Sequence, residues 1–398
     1  MQKLALDEEI LLQVEQPARY IGGEINSVKK DPDKVKLRFA MCFPDVYEIG
    51  MSHLGIQILY SMFNRREDVY CERVFSPWTD LDRILRERKI PLFTLESQRP
   101  VRECDFLGIT LQYEMCYTNI LQVLELSEIP LRAADRSDND PIVIGGGPCT
   151  YNPEPIAPFF DLFYMGEGEV IYDQLLDLYL AHKEAGGDRS SFLKKAAALP
   201  GIYVPSLYEP RYREDGTLSS FEPLCPEAPA SVRRLVMSVL DRADFIDTPL
   251  VPFIRVTQDR SVLELMRGCI RGCRFCQAGN VYRPQREHSV EYLKRYAEKL
   301  LKITGNEEIS LSSLSSSDYS RLQEFLEYLI QYTKERKINI SLPSLRIDAF
   351  SLDVMQRIQD VKKSSLTFAP EAGTQRLRDV INKGITEEDI MRGVSSAF

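Results

Sequence analysis

The chain has no excess of basic residues: 50 lysines and arginines stand against 59 aspartates and glutamates in 398 residues, a formal net charge of −9. That balance argues against a general nucleic-acid-binding surface and leaves room only for a local basic patch. An apolar leader is missing as well. The N-terminal stretch Met-Gln-Lys-Leu-Ala-Leu-Asp-Glu-Glu has no signal core, and no run elsewhere is long enough to cross a bilayer. There is no secreted disulfide framework: of nine cysteines, an odd number, Cys42, Cys71, Cys104, Cys116, Cys149 and Cys225 are scattered singly. No G-x-G-x-x-G opens a helix, which argues against a nicotinamide site. These absences predict a soluble protein of the reducing cytoplasm with no membrane partner, and the length suggests two or three domains.

What is present is a compact cysteine triad. Cys269, Cys273 and Cys276 lie in Met266-Arg267-Gly268-Cys269-Ile270-Arg271-Gly272-Cys273-Arg274-Phe275-Cys276-Gln277-Ala278-Gly279, with gaps of three and then two residues. A cubane iron-sulfur cluster normally takes four thiolates, so a loop that supplies three leaves one iron for another ligand. Gly268 and Gly272 allow a tight turn round a bulky inorganic core, and Phe275 can shield one side of it. A Cys3His zinc site with His288 is the alternative, although no second pair at zinc-finger spacing follows. Arg267, Arg271, Arg274, Arg283 and Arg286 cluster round the loop. They suit a carboxylate, a substrate anion, cluster electrostatics, RNA phosphate or plain solvation.

The triad resembles the signature of the radical S-adenosylmethionine (SAM) enzymes, with an aromatic residue just before the last cysteine. The resemblance implies that Cys269, Cys273 and Cys276 ligate a [4Fe-4S] cluster. It also implies that SAM chelates the fourth iron and is split reductively to a 5′-deoxyadenosyl radical.

The first half of the chain alternates strand and helix. Val35 to Phe43, Phe106 to Leu111, Pro141 to Ile144 and Leu162 to Met165 read as short buried strands. Gly55 to Phe63, Asn119 to Leu126 and Val170 to Leu180 read as helices. This predicts an α/β domain over 1–185 with a parallel sheet covered on both faces. Ligands of such sheets bind beyond the strands' carboxyl ends, where Pro44 to His53, Thr110 to Tyr113, Gly145-Gly146-Gly147 and Gly166-Glu167-Gly168-Glu169 fall. The three glycines fit either close approach to a ligand or a tight turn. The layout is similar to the Rossmann-like, flavodoxin-type cobalamin-binding domain that precedes the barrel in B12-dependent radical SAM proteins. By that resemblance Gly145, Gly146, Gly147 and Glu167 are the expected cobalamin contacts. The histidine-on motif Asp-x-His-x-x-Gly is absent, and His53 reads as a loop or helix-cap residue. The domain would hold cobalamin base-off or would have lost it.

Eight prolines and the turn Asp215-Gly216 mark 186–253 as an extended connector with a small hairpin and room for a helix. From 254 to 398 the strand-helix alternation resumes. Strands are expected at Ser261 to Met266, Glu308 to Leu311, Ile338 to Leu342 and Ser365 to Phe368. Helices are expected at Ser289 to Ile303, Tyr319 to Arg336, Leu352 to Ile358, Gln375 to Ile381 and from Ile385 onward. A (β/α) barrel carries its chemistry on loops after strands, and the cysteine loop follows the first strand. This is the expected partial (β/α)6 radical SAM barrel; only four strands precede Phe398, which suggests a truncated chain. The resemblance places SAM contacts at Phe275, Ser313, Ser315, Ser344, Arg346 and Glu371. The serines also read simply as a turn capped by Asp318.

The expected function is reductive SAM cleavage, with cobalamin-dependent methyl transfer to an unknown substrate where cobalamin is held. Modification of RNA or protein without methyl transfer is equally compatible with the family. A reductant such as flavodoxin or ferredoxin is the implied partner. The other classes are a non-catalytic iron-sulfur carrier or sensor and a zinc-stabilised binding module.

Overall fold

The computed structural model describes residues 6–242, 246–347 and 368–397. It separates into two compact units, Met1–Met237 with Ile246–Gln258 and Ser238–Phe245 with Asp259–Phe398.

The first unit is built on strands β1 (Leu37–Phe43), β2 (Val69–Phe75), β3 (Phe106–Thr110), β4 (Ile142–Gly146), β5 (Leu162–Tyr164) and β6 (Ile202–Tyr203), in the order β2-β1-β3-β4-β5-β6. The first five run parallel and β6 pairs antiparallel to β5. All seven residues of β1 are buried, as expected of a strand covered on both faces. Leu37, Phe39, Met41 and Phe43 point into one core, whereas Ala40 and Cys42 point into the other. Helices α1 (Leu54–Asn64), α4 (Tyr172–Glu184) and α5 (Arg189–Ala197) fill the first core through Ile56, Phe63, Leu175, Leu176 and Phe192. Helices α2 (Thr79–Arg88) and α3 (Tyr117–Leu126) fill the second through Leu81, Leu85, Ile120 and Leu124. The architecture is therefore the doubly wound α/β fold expected from the sequence.

One strand was hidden in the sequence by its polarity. Strand β2 carries Glu72 and Arg73 in its centre, which breaks the apolar run, yet all seven of its residues are buried. The structure satisfies these charges internally. Arg73 pairs with Glu24 at 2.7 Å and Glu96 at 2.6 Å. On the opposite face Arg38 forks onto Glu72, which also accepts from Thr94 and Ser97. Helix α5 lies in the proline-rich stretch and starts at Asp188, whose carboxylate accepts the Ser191 N–H at 2.7 Å. Beyond β6, strands β7 (Tyr208–Tyr212) and β8 (Leu218–Pro223) form the hairpin expected at Asp215-Gly216, with Gly216 at φ +80°.

In the second unit, β9 (Ser261–Glu264) is followed by β10 (Met266–Arg267), β11 (Arg286–Glu287), β12 (Glu308–Ser312) and β13 (Asn339–Ser341). β13, β12 and β9 make a parallel sheet in that order. Helix α6 (Val290–Thr304) links β11 to β12, and α7 (Leu322–Lys334) links β12 to β13. Leu263, Leu293, Leu301, Ile309, Leu311, Phe325 and Leu329 form its core. Ser289 caps α6 by accepting the Tyr292 N–H, and Gly305 ends it at φ +67°. Helices α8 (Gln375–Val380) and α9 (Glu387–Ala397) follow. The expected helix Leu352–Ile358 and nearly all of the strand Ser365–Phe368 lie outside the described residues. Among the described residues no helix is long and apolar enough to cross a membrane.

Candidate functional site

Strands β10 and β11 pair antiparallel, Met266 with Glu287 and Arg267 with Arg286, and so pinch the cysteine loop at its base. Gly268, at φ +86°, sits where the two ends of the loop touch: an added Cβ would stand 2.5 Å from the Tyr282 carbonyl oxygen and 2.6 Å from that of Pro284. No side chain fits there, which accounts for a glycine directly before Cys269. The Arg271 N–H donates to Cys269 Sγ at 3.4 Å, and the Cys276 N–H donates to the Cys273 carbonyl at 3.1 Å. One turn of helix, Ala278–Val281, closes the segment. A Cβ on Gly279 would lie 3.9 Å from Cys276 Sγ, in ordinary contact with that sulfur.

All nine cysteines are free. The three in the loop are half-buried, whereas Cys42, Cys71, Cys104, Cys116 and Cys149 are buried. Burial holds those five thiols protonated, pushing Cys149 up to about 11 and Cys42, Cys71 and Cys104 higher still. Among the described residues no three His, Cys, Asp or Glu side chains converge on a point that could hold a single ion. Convergence is what one tetrahedral ion requires, but cluster thiolates bind separate irons. Three accessible thiols on one pinned loop are a donor set that fits a cubane.

The arginines that cluster near the triad in sequence bind the loop and its neighbours. Arg271 forks onto Asp318, with the Nε contact at 2.8 Å. Burial works to raise the Asp318 carboxyl, but the Arg271 fork outweighs it and holds the group below the ordinary carboxylate range. Arg283 donates to the Arg271 carbonyl at 2.8 Å, Arg274 to the Val380 carbonyl at 2.5 Å and Arg286 to the Pro284 carbonyl at 2.9 Å. Arg267 pairs with Glu264 at 3.0 Å.

The expected SAM contacts lie on the loops after β12 and β13 and in the segment before α8. Ser313 bonds Ser316 at 2.9 Å, and Ser316 in turn donates to the Pro343 carbonyl at 2.8 Å, tying the two loops together. Ser315 is buried and its carbonyl accepts the Asp318 N–H at 2.9 Å. Ser344 and Glu371 hold left-handed backbone, at φ +60° and +69°. Arg346 is buried and donates to the Lys383 carbonyl at 3.1 Å. The Glu371 carboxylate accepts from Lys383 Nζ at 3.0 Å, and that ammonium lies 5.8 Å from the centre of the exposed Phe275 ring. Phe275, Arg346 and Glu371 thus meet at Lys383, a residue that sequence reasoning passed over. Ser313, Ser315 and Ser344 belong to the adjoining loop pair. Ammonium, guanidinium and carboxylate groups in one neighbourhood suit a zwitterionic amino acid.

In the first unit the strand order reverses between β1 and β3, the place where doubly wound sheets bind ligands. Tyr113 and Met115 stand exposed there, 38% and 87%, enough to present a flat apolar surface. Asn119 donates to the Pro44 carbonyl at 3.0 Å and Tyr113 bonds Asp45, joining the two strand-end loops. His53 is the N-cap of α1, accepting the Ile56 N–H at 3.3 Å, and burial pushes its imidazole down to about 4. The glycines of β4 lie one strand away from this switch point. A Cβ on Gly145 would meet the Phe163 ring at 2.7 Å, and one on Gly147, at φ +115°, would meet the Leu111 carbonyl at 2.8 Å. Gly146 has only the Tyr172 hydroxyl, 3.5 Å away. The Glu167 carboxylate accepts the Met237 N–H at 2.9 Å. Gly145 and Gly147 are thus hemmed in by the chain's own atoms and Glu167 is engaged by its backbone, while a Cβ on Gly146 would find room.

Comparison with known proteins follows the division into units. The family model described as the N-terminal domain of radical SAM proteins matches residues 55–205, and that of the radical SAM superfamily matches residues 263–398. Uncharacterized protein MJ0966 of Methanocaldococcus jannaschii is 27% identical over 368 residues, 90% of this chain and 66% of the relative. Uncharacterized methyltransferase PH0819 of Pyrococcus horikoshii is 26% identical over 285 residues, 67% of this chain and 52% of the relative. The chain therefore spans between half and two thirds of the length of these relatives. Two structures of TsrM from Kitasatospora setae, a radical SAM methyltransferase, share the fold. The one with tryptophan and aza-SAM bound aligns with TM-score 0.53 at 13% identity over 90% of this chain and 65% of that one. The one with cobalamin and a [4Fe-4S] cluster aligns with TM-score 0.55 at 12% identity over 90% and 66%. With a radical SAM family match in each compact unit, the chain belongs to the radical SAM superfamily.

Proposed function

We propose that this chain works as a radical SAM enzyme, with Cys269, Cys273 and Cys276 as the thiolate ligands of a [4Fe-4S] cluster. The observation that carries the reading is the triad itself: three accessible thiols on one loop, closed at its base by β10 and β11. When bound, such a cluster supplies the electron that splits SAM into methionine and a 5′-deoxyadenosyl radical. The chain's own residues bind and orient. Arg346 offers a cationic group for a carboxylate, Glu371 offers a carboxylate for an ammonium, and Phe275 covers one side of the loop.

Methyl transfer is the reaction this reading favours, because one relative is named a methyltransferase and the fold is that of another. Cobalamin, where bound, supplies a transferable methyl group. The switch point between β1 and β3, with Tyr113, Met115 and Gly146 nearby, is the candidate seat, and His53 is engaged as a helix cap. Nine free thiols support a reducing compartment, the cytoplasm, where flavodoxin- or ferredoxin-type reductants operate.

The test is anaerobic reconstitution with iron and sulfide, then dithionite and SAM, with 5′-deoxyadenosine quantified beside Cys273→Ala. Deoxyadenosine that disappears in the variant supports the proposal. A cluster without SAM cleavage would leave a redox carrier or sensor, and colourless zinc protein would overturn the reading.

A further inference from the structure

The turn after α8 reaches back onto the cysteine loop and grips it on both sides of its middle cysteine. Ile381 accepts the backbone N–H of Arg274 at 2.9 Å, while Asn382 Nδ2 donates to the backbone carbonyl of Gly272 at 2.8 Å. Gly272 and Arg274 flank Cys273, so a single turn sets the peptide planes that aim this thiol. The fit is mutual: a Cβ on Gly272 would come within 3.0 Å of Asn382 Nδ2, so glycine lets the amide approach. Asn382 itself sits at φ +55°, a left-handed conformation that asparagine tolerates better than most residues. The next residue, Lys383, has its side chain 11% exposed, is held by Glu371 and faces Phe275, the neighbour of Cys276. Their backbone N–H groups close the end of α8, on the Asp379 carbonyl at 3.0 Å and the Arg378 carbonyl at 2.9 Å, whereas their side chains reach the Gly272 carbonyl and Glu371.

We propose that Asn382 and Lys383 are positioning residues for the cysteine loop, Asn382 fixing the direction of the Cys273 thiol and Lys383 supplying a fixed positive charge beside Cys276. The inference rests on the reading that this loop holds a [4Fe-4S] cluster. A fixed cation favours the more negative, reduced form of a nearby redox group, so Lys383 raises the midpoint potential. The amide of Asn382 resists opening of the loop and slows release of iron.

The whole chain, reconstituted anaerobically, is compared with Asn382→Gly, Lys383→Met and Lys383→Arg. Asn382→Gly keeps the left-handed turn and removes only the amide. Iron transfer to a chelator should then become about three- to tenfold faster, the factor that one net hydrogen bond carries, with the melting temperature of the metal-free protein lowered by no more than about 2–4 °C. Lys383→Met should lower the midpoint potential and alter the electron paramagnetic resonance change produced by SAM, and Lys383→Arg should restore both. Gly272→Ala, which crowds the same amide from the other side, should reproduce the fast release and covers a folding failure of the glycine variant. Unchanged release in both Asn382→Gly and Gly272→Ala refutes the role of Asn382. An unchanged potential in Lys383→Met refutes that of Lys383. An unsubstituted chain that takes up no cluster refutes the functional reading beneath them, which is a separate outcome.

Discussion

Five of the six cysteines of the first unit and the three of the second contain the same atom under opposite conditions. Cys42 and Cys71 are small apolar side chains of a sheet covered by helices on both faces, held protonated by burial. Cys269, Cys273 and Cys276 stand half-buried on a loop that offers them to a ligand. The arginines divide in the same way. Arg73 is sealed between two carboxylates, with 1% exposure for each partner of either pair. Arg271, one-third exposed, spans two loops. Polar groups sealed inside the first unit serve to specify its core, whereas those at the edge of the second shape a site.

The sharpest way to break this comparison is to exchange the roles of the thiols. Cys273→Ala should abolish 5′-deoxyadenosine formation, whereas Cys42→Ala should retain it at the cost of core packing. Alkylation of the native metal-free chain, followed by mass spectrometry, should label the three loop thiols and spare Cys42, Cys71 and Cys104. Next in size is Arg73→Ala, which leaves Glu24 and Glu96 buried and unpaired. It should lower unfolding stability in urea by about 3–5 kcal/mol.

A smaller effect is expected at His53. Its folded pKa, pushed down to about 4 by burial, lies below the unfolded value near 6.5. Its contribution to stability is therefore present above about 6.5 and lost as the pH falls toward 4. A melting-temperature series should show that decline, and His53→Asn, which caps without titrating, should flatten it. Smallest is Arg271→Lys, which replaces a two-pronged contact with a single point. It should change the melting temperature little, since the lysine ammonium still pairs with Asp318, but should speed iron release from the reconstituted protein.

Much of the fold was legible because apolar runs and caps obey local rules. β1, β3 and α6 appear within a few residues of where periodicity puts them. β2 was not legible: Glu72 and Arg73 look like surface charges until Glu24, Glu96 and Arg38, distant in sequence, supply their partners. The site divides similarly. The cysteine triad is a local spacing and could be read directly. Gly145 and Gly147 stood out as a run, but what decides their role is the packing of Phe163 and Leu111, which no local pattern reveals. Asn382 and Lys383 resemble an ordinary helix end in sequence, and only the folded chain shows that they meet a loop more than a hundred residues away.

The pairing of β10 with β11 has a thermodynamic consequence. A metal site whose loop closes only when the metal arrives must draw the ordering of that loop from the binding energy, so that metal loss and unfolding become one event. Here the ends of the loop are already joined by backbone hydrogen bonds and by the Gly268 contact. Folding thereby does not wait for cofactor loading. A chain stripped of its inorganic core by oxygen should persist as a folded protein ready for reassembly, and calorimetry should show a cooperative transition before reconstitution that moves to higher temperature after it.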